Sequence, residues 1–177
     1  MIKKEARILG LATPTIKLKR VPVIGVVYRG NLWLDGIFKC QIHSGRRERL
    51  SGLVRTIVHS KQYSQIHAVI LSRENLAPGV LIDNADFSRR INLPVLSIIK
   101  VVGYRNRQRH AGSKAECFHI KIAGRVVYVR AAGLSREEAH EIFAVACSNG
   151  RWIPEAVRVA QIVAEQATEC DLLLERK

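Results

Sequence analysis

Residues 6–42 read ARILGLATPTIKLKRVPVIGVVYRGNLWLDGIFKCQI, and three apolar runs stand inside this stretch. Ala6 to Leu11 is a short run behind a basic start, Val21 to Tyr28 is β-branched and almost continuous, and Leu32 to Ile42 is interrupted by Asp35-Gly36. A continuous apolar run, without polar alternation, is what a strand covered on both faces requires. Three such runs in succession predict a meander. Gly30-Asn31 supplies the turn between the second and third strands, and Asp35-Gly36 supplies a bend or bulge within the third, which makes Asp35 a structural residue first.

Working outward, Ser44 has the residue type of an N-cap, and Leu50, Leu53, Val54, Ile57 and Val58 follow at helical spacing, so a first helix is predicted here. His67 to Leu71 reads as a short buried strand, Asp83 to Ile91 as a helix capped by Asp83 or Asn84, and Pro94 to Val102 as another strand. Strands alternating with helices imply a parallel section of sheet. Glu116 to Ile122 and Arg125 to Arg130, joined at Ala123-Gly124, predict a late hairpin. Ser135 with Glu138 forms a capping box, and Pro154 opens a last helix with Val157, Ala160, Ile162, Val163 and Ala164 on its apolar face. A mixed α/β fold results, and 177 residues suit a single domain.

The composition is 47% hydrophobic and 25% charged, as in ordinary globular chains, but the net charge is +14. The excess is unevenly spread: +10 over residues 1–61, +1 over 62–102, +6 over 103–130 and −3 over 131–177. A basic front and an acidic tail predict one positive face and a polyanionic partner, DNA or RNA before a membrane. No apolar stretch reaches the roughly 20 residues of a membrane span, and no signal-peptide core follows Lys3, Lys4 and Arg7, so a cytoplasmic location is expected. Cys40, Cys117, Cys147 and Cys170 stand singly and are expected to be reduced thiols, mostly in the core. His43, His59, His67, His110, His119 and His140 lack ligand spacing. Nucleophile elbows and glycine-rich phosphate loops are missing, which disfavours serine hydrolases, nucleotide hydrolysis and Rossmann redox chemistry.

A meander, a helix, then alternating strands and helices is the order of a ribonuclease-H-like domain, with a mixed central sheet and helices on both faces. More specific are Arg7-Ile8-Leu9-Gly10, Val23-Ile24-Gly25-Val26-Val27-Tyr28-Arg29-Gly30, Trp33-Leu34-Asp35-Gly36, Leu93-Pro94-Val95, Ala132-Gly133-Leu134, and Ile153-Pro154-Glu155 followed by Val157-Arg158-Val159-Ala160. In this order they resemble the archaeal endonuclease dU family, a relative of endonuclease V, over nearly the whole chain. The resemblance implies a nuclease that cuts nucleic acid near a deaminated base with a divalent metal. Such chemistry needs carboxylates converging on the ion.

At the positions where the resemblance implies those carboxylates, this chain departs from the family. Gly10-Leu11-Ala12-Thr13 stands for the family's Gly-Ile-Asp-Asp, Ser44-Gly45-Arg46-Arg47 for its Asp-Gly-Thr-Asp, and Ser72-Arg73 for its Asp-Gly. Ala12, Thr13, Ser44 and Ser72 cannot hold Mg²⁺, and Arg46, Arg47 and Arg73 repel it. The expectation is a catalytically degenerate, basic nucleic-acid-binding protein without a metal or other cofactor. An active endonuclease remains the alternative, with Mg²⁺ or Mn²⁺ held by relocated acids Glu48, Glu74 and Asp83, although these read more simply as ion-paired or capping residues. A non-enzymatic scaffold or regulator binding an acidic partner is the third reading. Three clusters are the candidate contacts: Lys17, Lys19 and Arg20 after the first strand; Arg46, Arg47 and Arg49 at the expected helix start, with Arg73 near by; and Tyr104, Arg105, Arg107, Arg109 and Lys114, where aromatic and basic residues intermix as in single-strand binders.

Overall fold

A computed structural model describes residues 2–15, 20–43, 50–77, 80–101, 115–148 and 150–174. The meander is present as β1 (Arg7–Ala12), β2 (Arg20–Arg29) and β3 (Trp33–His43), and the following elements are α1 (Ser51–Val58), β4 (Ile66–Leu71), β5 (Asn75–Ala77), β6 (Val80–Leu81), α2 (Asn84–Ile91) and β7 (Val95–Val101). The hairpin β8 (Glu116–Ile122) and β9 (Arg125–Ala132), then α3 (Arg136–Ala146) and α4 (Glu155–Leu174), complete the described strands and α-helices. Seven strands form one sheet in the order β3-β2-β1-β4-β7-β9-β8. β1, β4 and β7 are parallel, while β2, β3, β9 and β8 pair antiparallel with their neighbours. The small β5–β6 pair was not foreseen, since runs of two or three residues carry no periodic signal.

The unbroken apolar character of β1 and β4 follows from cover on both faces. Leu9, Leu11, Val69 and Leu71 pack with Leu53 and Ile57 of α1 and Phe87 and Ile91 of α2. Ile8, Ala68 and Ile70 point the other way, into a cluster with Ile142 and Phe143 of α3. Ala12, Ile24 and Val26 meet Ala160 and Ala164 of α4. That last contact is very close. A Cβ built on Gly10 would lie 2.3 Å from the backbone carbon of Ala156, so only glycine lets the helix backbone rest on β1.

The first helix corrects the sequence reading. It starts at Ser51, with Leu50 in the N-cap position and no side-chain cap, rather than at Ser44. Ser44, Arg46, Arg47 and Arg49 lie outside the described residues. The apolar spacing that buries Leu53 and Ile57 sets the start, because burial outweighs a cap contributing about 1 kcal/mol. The thiols also differ from expectation: Cys147 is buried, Cys40 is half-buried and Cys117 is exposed. Burial raises Cys40 to about 11 and Cys147 to about 12, with Glu155 adding to the latter, so neither is a thiolate at neutral pH. Among the described residues no helix is long and apolar enough to cross a membrane.

Asp35 is the bulge residue, skipped where Val27 pairs with Gly36 and Tyr28 with Leu34. Its carboxylate accepts from Arg7 Nε at 2.6 Å and Arg29 Nε at 3.0 Å, tying the start of β1 to the β2–β3 hairpin. The Arg7 hydrogen bond holds its carboxyl below the usual value, against the opposing effect of burial and with help from Arg29. Because the folded pKa is depressed, this stabilisation is present above about pH 4 and is lost as pH falls through the folded value. Asp35→Asn is expected to lower unfolding free energy by about 1–2 kcal/mol at neutral pH and by much less near pH 2, measured by urea denaturation. Gly10→Ala should cost about 2–3 kcal/mol in the same assay; an unchanged midpoint would contradict the close seating of α4.

Candidate functional site

The parallel strands β1 and β4 end side by side, and the ladder closes with the Ser72 N–H donating to Leu11 O at 2.9 Å. Carboxyl ends of neighbouring parallel strands are where open α/β sheets place their ligands. Past this point Ala12, Thr13 and Pro14 are all buried. Arg73 reaches across from the end of β4, and its Nη2 donates to Thr13 O at 2.6 Å and, at longer range, to Pro14 O at 3.3 Å. Thr15 is fixed from the opposite side, its N–H and hydroxyl donating to Glu165 Oε1 on α4 at 2.8 and 2.5 Å. Ser72 Oγ is buried and has no hydrogen-bond partner among the described residues.

Two of the three acids considered for relocated catalysis are engaged elsewhere. Glu74 Oε1 lies 2.8 Å from Arg130 Nη1, an ion pair whose N–H is not aligned as a hydrogen bond. Arg130 also donates Nε to Cys117 Sγ at 3.1 Å, and its backbone carbonyl accepts from Asn84 Nδ2 at 2.8 Å. Asn84 in turn accepts from Ser97 Oγ at 2.7 Å, which completes a buried polar network between α2, β7 and β9. Asp83 caps α2, accepting from Ala85 N at 2.9 Å and, more distantly, from Asp86 N at 3.4 Å. Glu48 lies outside the described residues.

A hard divalent cation does not fit the described part of this pocket. Mg²⁺ needs oxygen ligands including one or two carboxylates, whereas Ala12, Thr13 and Ser72 supply none and a guanidinium covers the carbonyls of Thr13 and Pro14. Among the described residues no three His, Cys, Asp or Glu side chains converge as metal ligands.

Of the expected basic contacts, Arg73 stands in the pocket and Arg20 is exposed at the start of β2, paired with His43 at the end of β3. Lys17, Lys19, Ser44, Arg46, Arg47, Arg49, Tyr104, Arg105, Arg107, Arg109 and Lys114 lie outside the described residues. The described strand ends beside those segments, at Ala12, Arg20, His43 and Val101, are on the same pole of the sheet as Ser72 and Arg73. Sequence reasoning missed Arg130, Asn84, Ser97 and Glu165. Only the alternation of β9 could have marked Arg130; the others meet their partners across distant segments.

With this geometry in view, the Endonuclease dU family model matches residues 4–168. The chain belongs to the Endonuclease dU family. A UPF0215 protein of Methanothermobacter thermautotrophicus is 26% identical over 185 residues, spanning 94% of this chain and 90% of its own. Human endonuclease V is similar in fold, with a TM-score of 0.67 at 14% identity over 94% of this chain and 86% of its own. Ciona intestinalis endonuclease V, solved with a 24mer DNA containing an inosine followed by a ribo-adenosine, has a TM-score of 0.62 at 11% identity over 93% of this chain and 86% of its own. The fold of this Endonuclease dU member is ribonuclease-H-like, as the element order implies.

The Glu74–Arg130 contact assigns Glu74 to the scaffold. Glu74→Ala should therefore lower unfolding free energy by about 3 kcal/mol, since it leaves a buried guanidinium unpaired. Asp83→Ala should cost about 1 kcal/mol as a lost cap. Thermal and urea melts of both variants check this, and an undiminished Glu74→Ala protein would return Glu74 to the candidates for chemistry.

Proposed function

We propose that residues 1–177 act as one domain that grips DNA or RNA through its phosphates and does not cut it. The observation that carries this reading is the Arg73 guanidinium bonded over the end of β1, beside Ala12 and Ser72, where the family resemblance implies acids. A guanidinium has five N–H donors in a fixed fork, and its bonds to Thr13 O and Pro14 O hold it in place while leaving donors for a phosphate oxygen. Its charge also disfavours a second cation near by, as at 4 Å two like unit charges repel by about 4 kcal/mol at an effective dielectric constant near 20.

The net charge of +14 supports a polyanionic partner, and so does the pole at which Arg20 and Arg73 stand. The strand ends beside Lys17, Lys19, Arg46, Arg47 and Arg49 lie at that pole, as does the end of β7 before Arg105, Arg107 and Arg109, while β8 after them starts at the opposite pole. An endonuclease V of similar fold is known bound to DNA, which adds weight to nucleic acid over an acidic protein. An active enzyme built on Glu74 and Asp83 is disfavoured because an arginine and a helix N-terminus hold those side chains.

Binding by phosphate neutralisation falls linearly in log affinity with log salt on oligonucleotides of any sequence. The protein is expected to bind in this manner with or without a chelator. Arg73→Ala should weaken binding uniformly and reduce the salt slope by about one. Fluorescence anisotropy across a salt series checks both. Affinity abolished by chelation, or oligonucleotide binding absent at low salt, would contradict the proposal.

A further inference from the structure

Side chains alternate strictly along the β8–β9 hairpin. Phe118, Ile120, Ile122, Val127 and Val129 belong to the cluster beneath α3. Cys117, His119 and Lys121 of β8, with Tyr128 and Arg130 of β9, therefore face the opposite side, the side on which α1 and α2 cover the middle of the sheet. That cover reaches β9 at Arg130, through Asn84, and leaves His119, Lys121 and Tyr128 exposed. Tyr128 is 49% exposed and directly opposite His119, the two rings 6.2 Å apart between centroids and tilted by 55°.

An exposed ring pair on a sheet face that no described helix covers is a costly way to finish a surface, since strand positions facing water are ordinarily served by polar residues. Two cations adjoin this pair: Lys121 shares its face, and Arg136 Nη2 is 3.5 Å from His119 Nε2 at the edge of the sheet. Glu116 and Arg125 fall on the other face by alternation. The patch also continues the pocket already described: Arg130, next but one to Tyr128, pairs in register with Ser97, which pairs with Leu71 at the end of β4. Two inter-strand spacings separate β4 from β9, so Arg130 stands about 10 Å from Leu71, and Tyr128 lies two residues further along β9 toward the pole of Arg73.

We infer that the exposed face of β8–β9 is a stacking platform for an unpaired base of single-stranded nucleic acid, with Tyr128 and His119 taking the base and Lys121 and Arg136 the neighbouring phosphates. Every base has a π face, so stacking of this kind tolerates any sequence, and the cations complement the backbone that must accompany it. The inference rests on the nucleic-acid-binding reading above and adds strandedness and a specific contact to it.

The test compares the affinity of the full chain for a short oligothymidylate, an abasic oligomer of equal length, and a duplex. Phosphates are common to the first two and bases are not. The unaltered protein should prefer the oligothymidylate to the abasic strand by about tenfold. Tyr128→Ala should reduce that preference to about twofold or less, and Tyr128→Phe should restore it. A preference unaffected by Tyr128→Ala, or equal binding of both strands by the unaltered protein, overturns the platform while leaving the phosphate grip standing. Binding of none of the three overturns the underlying reading as well, and a protein partner would then be the occupant to seek.

Discussion

Arg73 donates to the carbonyl oxygens of Thr13 and Pro14 just beyond the last ladder bond between β1 and β4. The contact joins the two strand ends with a positive charge at the place where the fold concentrates its chemistry. Carbonyl oxygens alone are poor competitors for water around Mg²⁺, and here a permanent internal cation already draws on two of them. With Ala12 and Thr13 buried behind it, the pocket's electrostatics favour an anion. The proposed use of the domain follows from that reversal of sign.

The acids tell a complementary story. Asp35 ties β1 to the first hairpin, Glu74 meets Arg130, Asp83 caps α2, and Glu155 accepts from Ser148 Oγ at 2.6 Å and Arg158 Nε at 2.8 Å. Burial pushes the Glu155 carboxyl up, but the Arg158 and Ser148 hydrogen bonds and the nearby arginine charges outweigh it and hold the group below its usual value. These carboxylates are committed to the scaffold. Arg20, Lys121, Arg125 and Arg136, by contrast, are exposed to solution.

Local physics made much of the fold legible. The runs Ala6 to Leu11 and Val21 to Tyr28 could be read because cover on both faces leaves almost no polar position, and Ser135 with Glu138 because the capping box is a contact three residues long. Asp35 could be read as a bulge, but not its arginine partners, which come from other strands. Ser44 misled because capping residue types are common, while the burial of Leu53 and Ile57 fixes the helix. Within the site, Ala12, Thr13 and Ser72 could be read by residue type. The arrangement of Arg73, Glu74, Arg130 and Glu165 could not, since each meets a partner set by the sheet order. The Tyr128–His119 pair escaped for the same reason: their opposition depends on the register of the hairpin.

Incision is the most direct readout of the central claim, that positive charge has replaced the divalent ion at the ends of β1 and β4. Purified protein would be incubated with deoxyuridine- and inosine-containing DNA and RNA strands in Mg²⁺ or Mn²⁺, and the products resolved on a denaturing gel. The account predicts bound but uncut strands. Metal-dependent cleavage that disappears in Glu48→Ala or Glu74→Ala protein that remains folded would contradict it.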